Sequence, residues 1–368
     1  MALIFIFAPM ENFIVSARKY RPQIFEEVVG QKHVTNTLLN AINNNHLAQA
    51  LLFTGPRGVG KTTCARILAR LINEDDQGEA QDDLSFNIFE LDAASNNSVD
   101  DIRSLIDQVR FAPQKGNYKV YIIDEVHMLS QAAFNAFLKT LEEPPPHAIF
   151  ILATTEKHKI IPTILSRCQI FDFKRISVED IAAHLKVIAQ KEGVEAEEEA
   201  LLTIAQKADG ALRDSLSIFD RLVSFSGNKI TYKDVIENLR ILDYDYYFKT
   251  TDYALGANQA ELLMLYDQIL DNGFDGHLFV TGLASHFRDL LVCKDAKTHH
   301  LLEVGESTRQ RYIKQAENIP ALTLLRGLRV LAETDTKFAQ SKNPRLLVEL
   351  CLLQLLYLAQ ADSQKKKA

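Results

Sequence analysis

Residues 55–62 read Gly55-Pro56-Arg57-Gly58-Val59-Gly60-Lys61-Thr62, a complete G-x-x-x-x-G-K-[ST] pattern. Glycines at this spacing let the backbone curl so that successive N–H groups point at one centre, which suits phosphate oxygens. A helix starting near Lys61 adds the positive end of its dipole. The pattern predicts that Lys61 reaches the β- and γ-phosphates of a nucleotide and that the Thr62 hydroxyl ligates Mg²⁺. Thr63 joins the same nucleotide-binding set. A second pattern lies downstream, where the apolar run Val120-Tyr121-Ile122-Ile123 delivers Asp124 and Glu125. At the end of a buried strand Asp124 is suited to hold Mg²⁺ through water, and Glu125 to polarise an attacking water as a general base. Loop and acid pair together predict a nucleotide hydrolase rather than a simple binder.

Such groups need a scaffold, and the first half of the chain supplies one. Ala50–Thr54, Ile88–Leu91, Val120–Ile123, Ile149–Leu152 and Gln169–Phe173 are short strand-like runs. Between them Cys64, Ile67, Leu68 and Leu71, and again Phe134, Phe137, Leu138 and Leu141, recur at helical spacing. Ser130 is placed to cap the second helix and Pro144-Pro145-Pro146 to stop it. Apolar strands alternating with amphipathic helices predict an α/β fold, a parallel sheet covered on both faces. Beyond Arg175 the strand signal fades. Ser177 and Asp180 form a capping-box pattern opening a helix, and helical patterns continue to the end.

The expected organisation is an N-terminal extension at 1–17, the α/β domain at 18–175, a small helical lid at 176–238, a helical collar at 239–362 and a basic tail at 363–368. Met10 reads as the start, with residues 1–9 an upstream extension. The segment Glu74–Asp83 is strongly acidic and reads as a solvated loop, and Lys365-Lys366-Lys367 as a frayed tail.

Composition bounds the rest. The chain has 368 residues, 47% hydrophobic and 24% charged, which excludes disordered, collagenous and small disulfide-framework classes. A net charge of −7 argues against a protein that coats nucleic acid, but leaves room for a local basic groove. Cys64, Cys168, Cys293 and Cys351 are scattered without a CxxC pair, so neither a zinc site nor a disulfide framework is expected, and a reduced cytoplasmic compartment fits. The N-terminal apolar run is far shorter than the ~20 residues of a membrane span. His127 and the other histidines lack ligand spacing and read as structural. The aromatic run Tyr244–Phe248 reads as core packing.

Several stretches carry a family resemblance. Arg18-Lys19-Tyr20-Arg21-Pro22 with Val28-Val29-Gly30-Gln31, Asp124–Ser130, Phe137–Pro145, Leu152-Ala153-Thr154-Thr155, Ser166-Arg167-Cys168 and Gly210-Ala211-Leu212-Arg213-Asp214 follow in order over residues 18–214. They resemble the AAA+ ATPases, and within them the gamma/tau clamp-loader family of bacterial DNA polymerase III. The resemblance implies ATP as the nucleotide, with Arg18, Tyr20, Pro22 and Val29 on the adenine side. It implies that Thr155 is a sensor holding the attacking water and Arg213 a second sensor from the lid. Arg167 would be an arginine finger reaching a neighbouring subunit's site.

The implied partners are the delta and delta-prime subunits, further copies of the chain, the ring-shaped sliding clamp (beta) and primer–template DNA. The implied role is to load that clamp during replication, within the holoenzyme that carries DNA-directed DNA polymerase activity, although no polymerase chemistry is legible in this chain. Two departures stand out. The interval Leu71–Glu90, where many relatives carry four zinc-binding cysteines, has none. After Ala93-Ala94-Ser95 comes Asn96-Asn97-Ser98 instead of basic residues, leaving Asn96 and a helix N-terminus to hold DNA phosphate, with Lys139 as a second contact. Two other readings compete. A delta-prime-like subunit that does not hydrolyse ATP usually has a damaged loop, and a branch-migration helicase needs a C-terminal winged helix.

Overall fold

The computed structural model describes residues 14–74, 87–113 and 116–365. The acidic loop beyond Glu74, residues 1–13 of the N-terminal extension and the end of the basic tail lie outside these residues. Contacts divide the chain into two compact units, one comprising residues up to Gly193 with Ile204–Ser224, the other Val194–Thr203 with Phe225 onward.

The first unit is built on five strands, β1 (Ala50–Thr54), β2 (Ile88–Asp92), β3 (Lys119–Asp124), β4 (Ala148–Thr154) and β5 (Gln169–Asp172). All pair in parallel, in the order β2-β3-β4-β1-β5. The helices in chain order up to Gly193 are α1 (Ser16–Lys19), α2 (Lys32–Asn43), α3 (Lys61–Leu71), α4 (Val99–Val109), α5 (Gln131–Glu142), α6 (Pro162–Leu165) and α7 (Val178–Glu192).

Central strands buried on both sides send alternate residues to opposite cores. Leu51, Phe53, Ile122 and Ile151 pack with Leu38 of α2 and Cys64, Ile67 and Leu68 of α3. Leu52, Tyr121, Ile123 and Phe150 pack with Ile102 and Leu105 of α4 and Phe134 and Phe137 of α5. Each such side chain contributes about 1.5–3 kcal/mol on burial. The expected α/β architecture is therefore present, with both faces of its sheet covered.

Local signals act where they were expected. Ser130 accepts the Ala133 N–H at 3.2 Å and α5 ends at Glu142, just ahead of the prolines. Ser177 accepts the Asp180 N–H at 3.1 Å and opens α7. The fading of strand signal is corrected at two places. After α7 come β6 (Glu195–Ala196), α8 (Glu198–Lys207), α9 (Leu212–Ser226), β7 (Lys229–Ile230) and α10 (Tyr232–Leu239), and β6 pairs with β7 in parallel. Two-residue strands are too short to show any period, so residue alternation could not announce them.

The second unit continues with α11 (Tyr244–Leu255), α12 (Gln259–Asp271), α13 (Gly276–Val292), α14 (Glu306–Glu317), α15 (Ala321–Phe338) and α16 (Pro344–Lys365) around one apolar core. Tyr247 and Phe248 are buried in it, with Tyr244 and Tyr246 packed against it. His286, 1% exposed, lies 3.0 Å from Tyr312 Oη and 2.9 Å from Gln315 Oε1.

Burial pushes the His286 imidazole down to about 3, from an ordinary 6.5. At neutral pH both folded and unfolded forms are uncharged there, so the group contributes no pH dependence. As pH falls below 6.5 the unfolded chain takes up a proton that the folded one refuses, which costs stability at about 1.4 kcal/mol per pH unit. Urea midpoints followed from pH 7.5 to pH 5 should therefore fall more steeply in wild type than in His286→Gln, with the gap opening below about pH 6.5. Parallel curves would show that His286 takes up its proton alike in the folded and the unfolded chain.

Candidate functional site

The C-terminal ends of β1, β3 and β4 meet at one edge of the sheet, because β1 lies beside β4 and β4 beside β3. Open parallel sheets bind ligands outside the carboxyl ends of their strands. The loop that follows β1 holds three glycines at positive φ, and at two of them a side chain would also be crowded. Gly55 sits at φ +144, and a Cβ there would stand 2.4 Å from the Phe173 carbonyl oxygen. Gly58 at φ +75 lets the start of α9 approach, with Ala211 Cβ 3.0 Å from where its own Cβ would be. The Arg213 N–H donates to Gly58 O at 3.4 Å, tying α9 to the loop.

A cleft of about 160 Å³ opens beside this loop. Arg57, Gly58, Val59, Gly60, Lys61, Thr62 and Thr63 form its floor, and Asp124 and Glu125 one wall. Tyr20, Pro22 and Val29 line the side expected to hold the base, and Arg213 with Leu212 and Leu216 the side formed by α9. Gly55 and Pro56 do not line the cleft. Their carbonyls accept from Lys61 Nζ at 2.8 and 2.7 Å, which holds the ammonium at the mouth of the loop. Burial pulls the Lys61 ammonium below its ordinary range, opposed by the negative charges of Glu125 and Asp124.

The acid pair divides its work by geometry. Asp124 Oδ2 accepts from Thr62 Oγ1 at 2.7 Å, and its Oδ1 from the Glu125 N–H at 3.0 Å. A hydroxyl and a carboxylate side by side are the hard oxygen donors that Mg²⁺ prefers, and Mg²⁺ commonly takes only one or two protein ligands beside water and phosphate. These residues fit the ion. Glu125 sits in the left-handed region at φ 48 and ψ 43, a costly conformation for a non-glycine residue that is found at functional sites. Its Oε2 accepts from both the N–H and the Oγ1–H of Thr155, at 3.2 and 2.9 Å. Thr155 follows the last residue of β4, so the adjacency of β3 and β4 brings base and expected sensor together.

Other expected residues lie elsewhere. Arg18 does not line the cleft, whereas Ala17 and Arg21 do. In one helical turn these side chains point in different directions, and a stretch recognised as a block does not reveal which of its two arginines turns inward. Ile176, Val28, Leu212 and Leu216 also line the cleft; apolar residues carry no chemical signature that would assign them to it.

Arg167 lies outside its own cleft, in the turn after α6. Its guanidinium donates to Glu142 Oε1 at 2.5 Å and to Thr163 O at 2.6 Å. Burial pushes the neighbouring Cys168 thiol up to about 11, which suits a packing role rather than a nucleophile.

Asn96 lies in the turn after β2, ahead of α4. Asn96 Nδ2 donates to Asp92 O at 3.1 Å, and Ser98 and Asp101 cap α4 reciprocally. Asp100 and Asp101 occupy the first turn of that helix, where they offset the dipole that would attract an anion. Lys139 is exposed on α5. Among the described residues, no group of three or more His, Cys, Asp or Glu is placed to hold a metal.

Strand order, phosphate loop and the Asp124–Glu125 wall together define an AAA+ P-loop protein with a helical lid segment and a C-terminal helical domain. Family models match along the described chain: "DNA polymerase III, delta subunit" over residues 30–177, "DNA polymerase III clamp loader subunit, ATPase lid domain" over 180–228, and "DNA polymerase III subunits gamma and tau domain III" over 230–368. DNA polymerase III subunit gamma of Buchnera aphidicola is 37% identical over 276 residues, 72% of this chain and 76% of that protein. DNA polymerase III subunit tau of Bacillus subtilis is 40% identical over 351 residues, 92% of this chain and 62% of that protein. The chain belongs to the gamma/tau family of DNA polymerase III subunits. It spans less than two thirds of the length of the tau relative, at 62%. Among solved structures, Thermotoga maritima RuvB aligns over 64% of this chain and 78% of its own at 23% identity, with a TM-score of 0.48.

Proposed function

We propose that this chain hydrolyses ATP and acts as a motor subunit that loads a ring-shaped clamp onto primed DNA. The observation that carries the reading is Glu125 beside the Thr62–Asp124 pair in one cleft floored by the phosphate loop, with Thr155, outside the cleft lining, hydrogen-bonded to Glu125. Tyr20, Pro22 and Val29 receive the base and ribose side of ATP. Loop N–H groups and Lys61 hold the phosphates, and Arg213 reports their state to α9. Thr62 and Asp124 would hold Mg²⁺, which when bound neutralises charge on the phosphate oxygens. Glu125 takes a proton from a water oriented by Thr155, and that water's oxygen attacks the γ-phosphorus as its bond to the bridging oxygen breaks.

The partners of this reading are delta and delta-prime subunits, further copies of the chain, the sliding clamp and primer–template DNA. Arg167 serves a neighbour's site, and Asn96 and Lys139 are the candidate contacts to the DNA backbone. The polypeptide works as an α/β domain at 18–175, a lid at 176–238 and a collar at 239–362. Its setting is the bacterial cytoplasm; no described helix is long and apolar enough to cross a membrane.

The test is steady-state ATP hydrolysis by the chain mixed with delta, delta-prime and the clamp, with and without primed DNA. Strong stimulation by primed DNA is expected. Hydrolysis indifferent to both clamp and DNA would remove the loader role while leaving an ATPase.

A further inference from the structure

Beside Glu125 stands a histidine whose spacing alone suggested only a structural role. The His127 side chain is 6% exposed and sits in the short turn Val126–Met128 that follows β3. Its Nδ1 lies 3.0 Å from Thr154 Oγ1 and 3.4 Å from Glu125 Oε2. Its Nε2 lies 3.3 Å from Glu156 Oε1. Thr154 is fully buried at the end of β4, and its Oγ1 also accepts the Glu156 N–H at 3.0 Å. Glu156 in turn pairs with Lys159 at 2.9 Å.

One imidazole thus touches three consecutive features of the site: the expected base, the residue before the expected sensor and the residue after it. Thr155 itself lies between Thr154 and Glu156, so His127 holds the turn on either side of it. Glu125 reaches the sensor from a strained left-handed backbone, and a strained conformation persists only where its surroundings over-determine it.

We propose that His127 is a positioning residue for hydrolysis: it locks Glu125 to the turn at Thr154–Glu156 and so sets the distance between base and sensor. The inference rests on the hydrolase reading above. His127 does not line the nucleotide cleft, so it acts through Glu125 and Thr155 and leaves the grip on nucleotide to the loop. The segment beyond Glu156 leads through α6 to Arg167. The same lock therefore ties the base of one site to the segment carrying the residue expected to serve the next.

The test uses the chain assembled with delta, delta-prime, clamp and primed DNA, reading kcat and KM for ATP together with binding of a fluorescent ATP analogue. Glu125→Gln supplies the background rate. Small misplacements of catalytic groups can cost ~10²-fold, so His127→Ala should lower kcat by about ten- to a hundredfold, with analogue binding unchanged. His127→Asn, whose amide can reach Thr154 Oγ1, should recover part of that loss, and the similarly bulky but apolar His127→Leu should not. Glu156→Ala, at a partly exposed position, should lower kcat in the same direction, and its effect should not add to that of His127→Ala.

Equal rescue by leucine and asparagine would overturn the proposal, because packing would then suffice. So would a loss of analogue binding that matches the loss of kcat. Should His127→Ala fail to fold, the asparagine–leucine comparison and Glu156→Ala decide the matter alone. A wild-type complex no faster than Glu125→Gln overturns the hydrolase reading and this inference with it. An active complex whose His127 and Glu156 variants keep wild-type kcat overturns this inference only.

Discussion

Arg167→Ala should reduce ATP hydrolysis by the assembled complex by about 10³–10⁵-fold, the range measured where arginine fingers act in trans. The same change should leave nucleotide binding by the isolated chain untouched. The asymmetry follows from position, since Arg167 lies outside its own cleft while its guanidinium is held by Glu142 and the Thr163 carbonyl. A planar, permanently charged fork held in this way is well suited to charge that develops on a transferring phosphoryl group. The ion pair with Glu142 is partly exposed, so its loss should cost little stability, and the variant should fold. Arg167→Lys keeps the charge and loses the fork, and should fall between wild type and alanine. Rates for the complex and for the isolated chain, measured side by side, check the claim. An equal loss in both would return Arg167 to a role within its own subunit.

Glu125→Gln should lower single-turnover hydrolysis by about 10²–10⁴-fold, the usual contribution of a positioned general base. At 1.36 kcal/mol per tenfold change that range is about 3–5 kcal/mol of barrier. The amide keeps an acceptor for the Thr155 N–H and hydroxyl, so the turn should hold its shape and only the proton acceptor is lost. Lys61, Thr62 and Asp124 are untouched, and equilibrium binding of ATP should survive. Asp124→Asn is the useful contrast. It weakens the Thr62–Asp124 pair that fits Mg²⁺, so it should depress metal-dependent binding as well as rate. A Glu125→Gln chain hydrolysing at the wild-type rate would assign the base elsewhere and leave the left-handed backbone at Glu125 without a catalytic reason.

Much of this site was legible because its signals are contiguous. Eight residues of phosphate loop and an apolar strand ending in Asp124-Glu125 announce themselves within single elements, where spacing and backbone geometry are linked directly. The same holds for Ser130 and Ser177, whose hydroxyls cap the helices that begin beside them. Helical and strand periods in the first half likewise report which face of each element is buried, and hence a sheet covered on both sides.

Other features depend on strand order, which no local period encodes. Thr155 meets Glu125 across a separation of 30 residues only because β4 lies beside β3. His127 acquires Thr154 and Glu156 as partners from the same adjacency. Arg21 rather than Arg18 lines the cleft, Ile176 joins it from the segment between β5 and α7, and Leu212 and Leu216 reach it on α9, where the chain returns after α8. At the start of α4 two aspartates and a completed capping box stand beside Asn96. The sequence by itself determined the loop, the acid pair and the layered α/β plan, since each is written in neighbouring residues. The tertiary structure decided which side chains face one another across the sheet edge, since that depends on long-range pairing whose free energy comes from burying whole strands together.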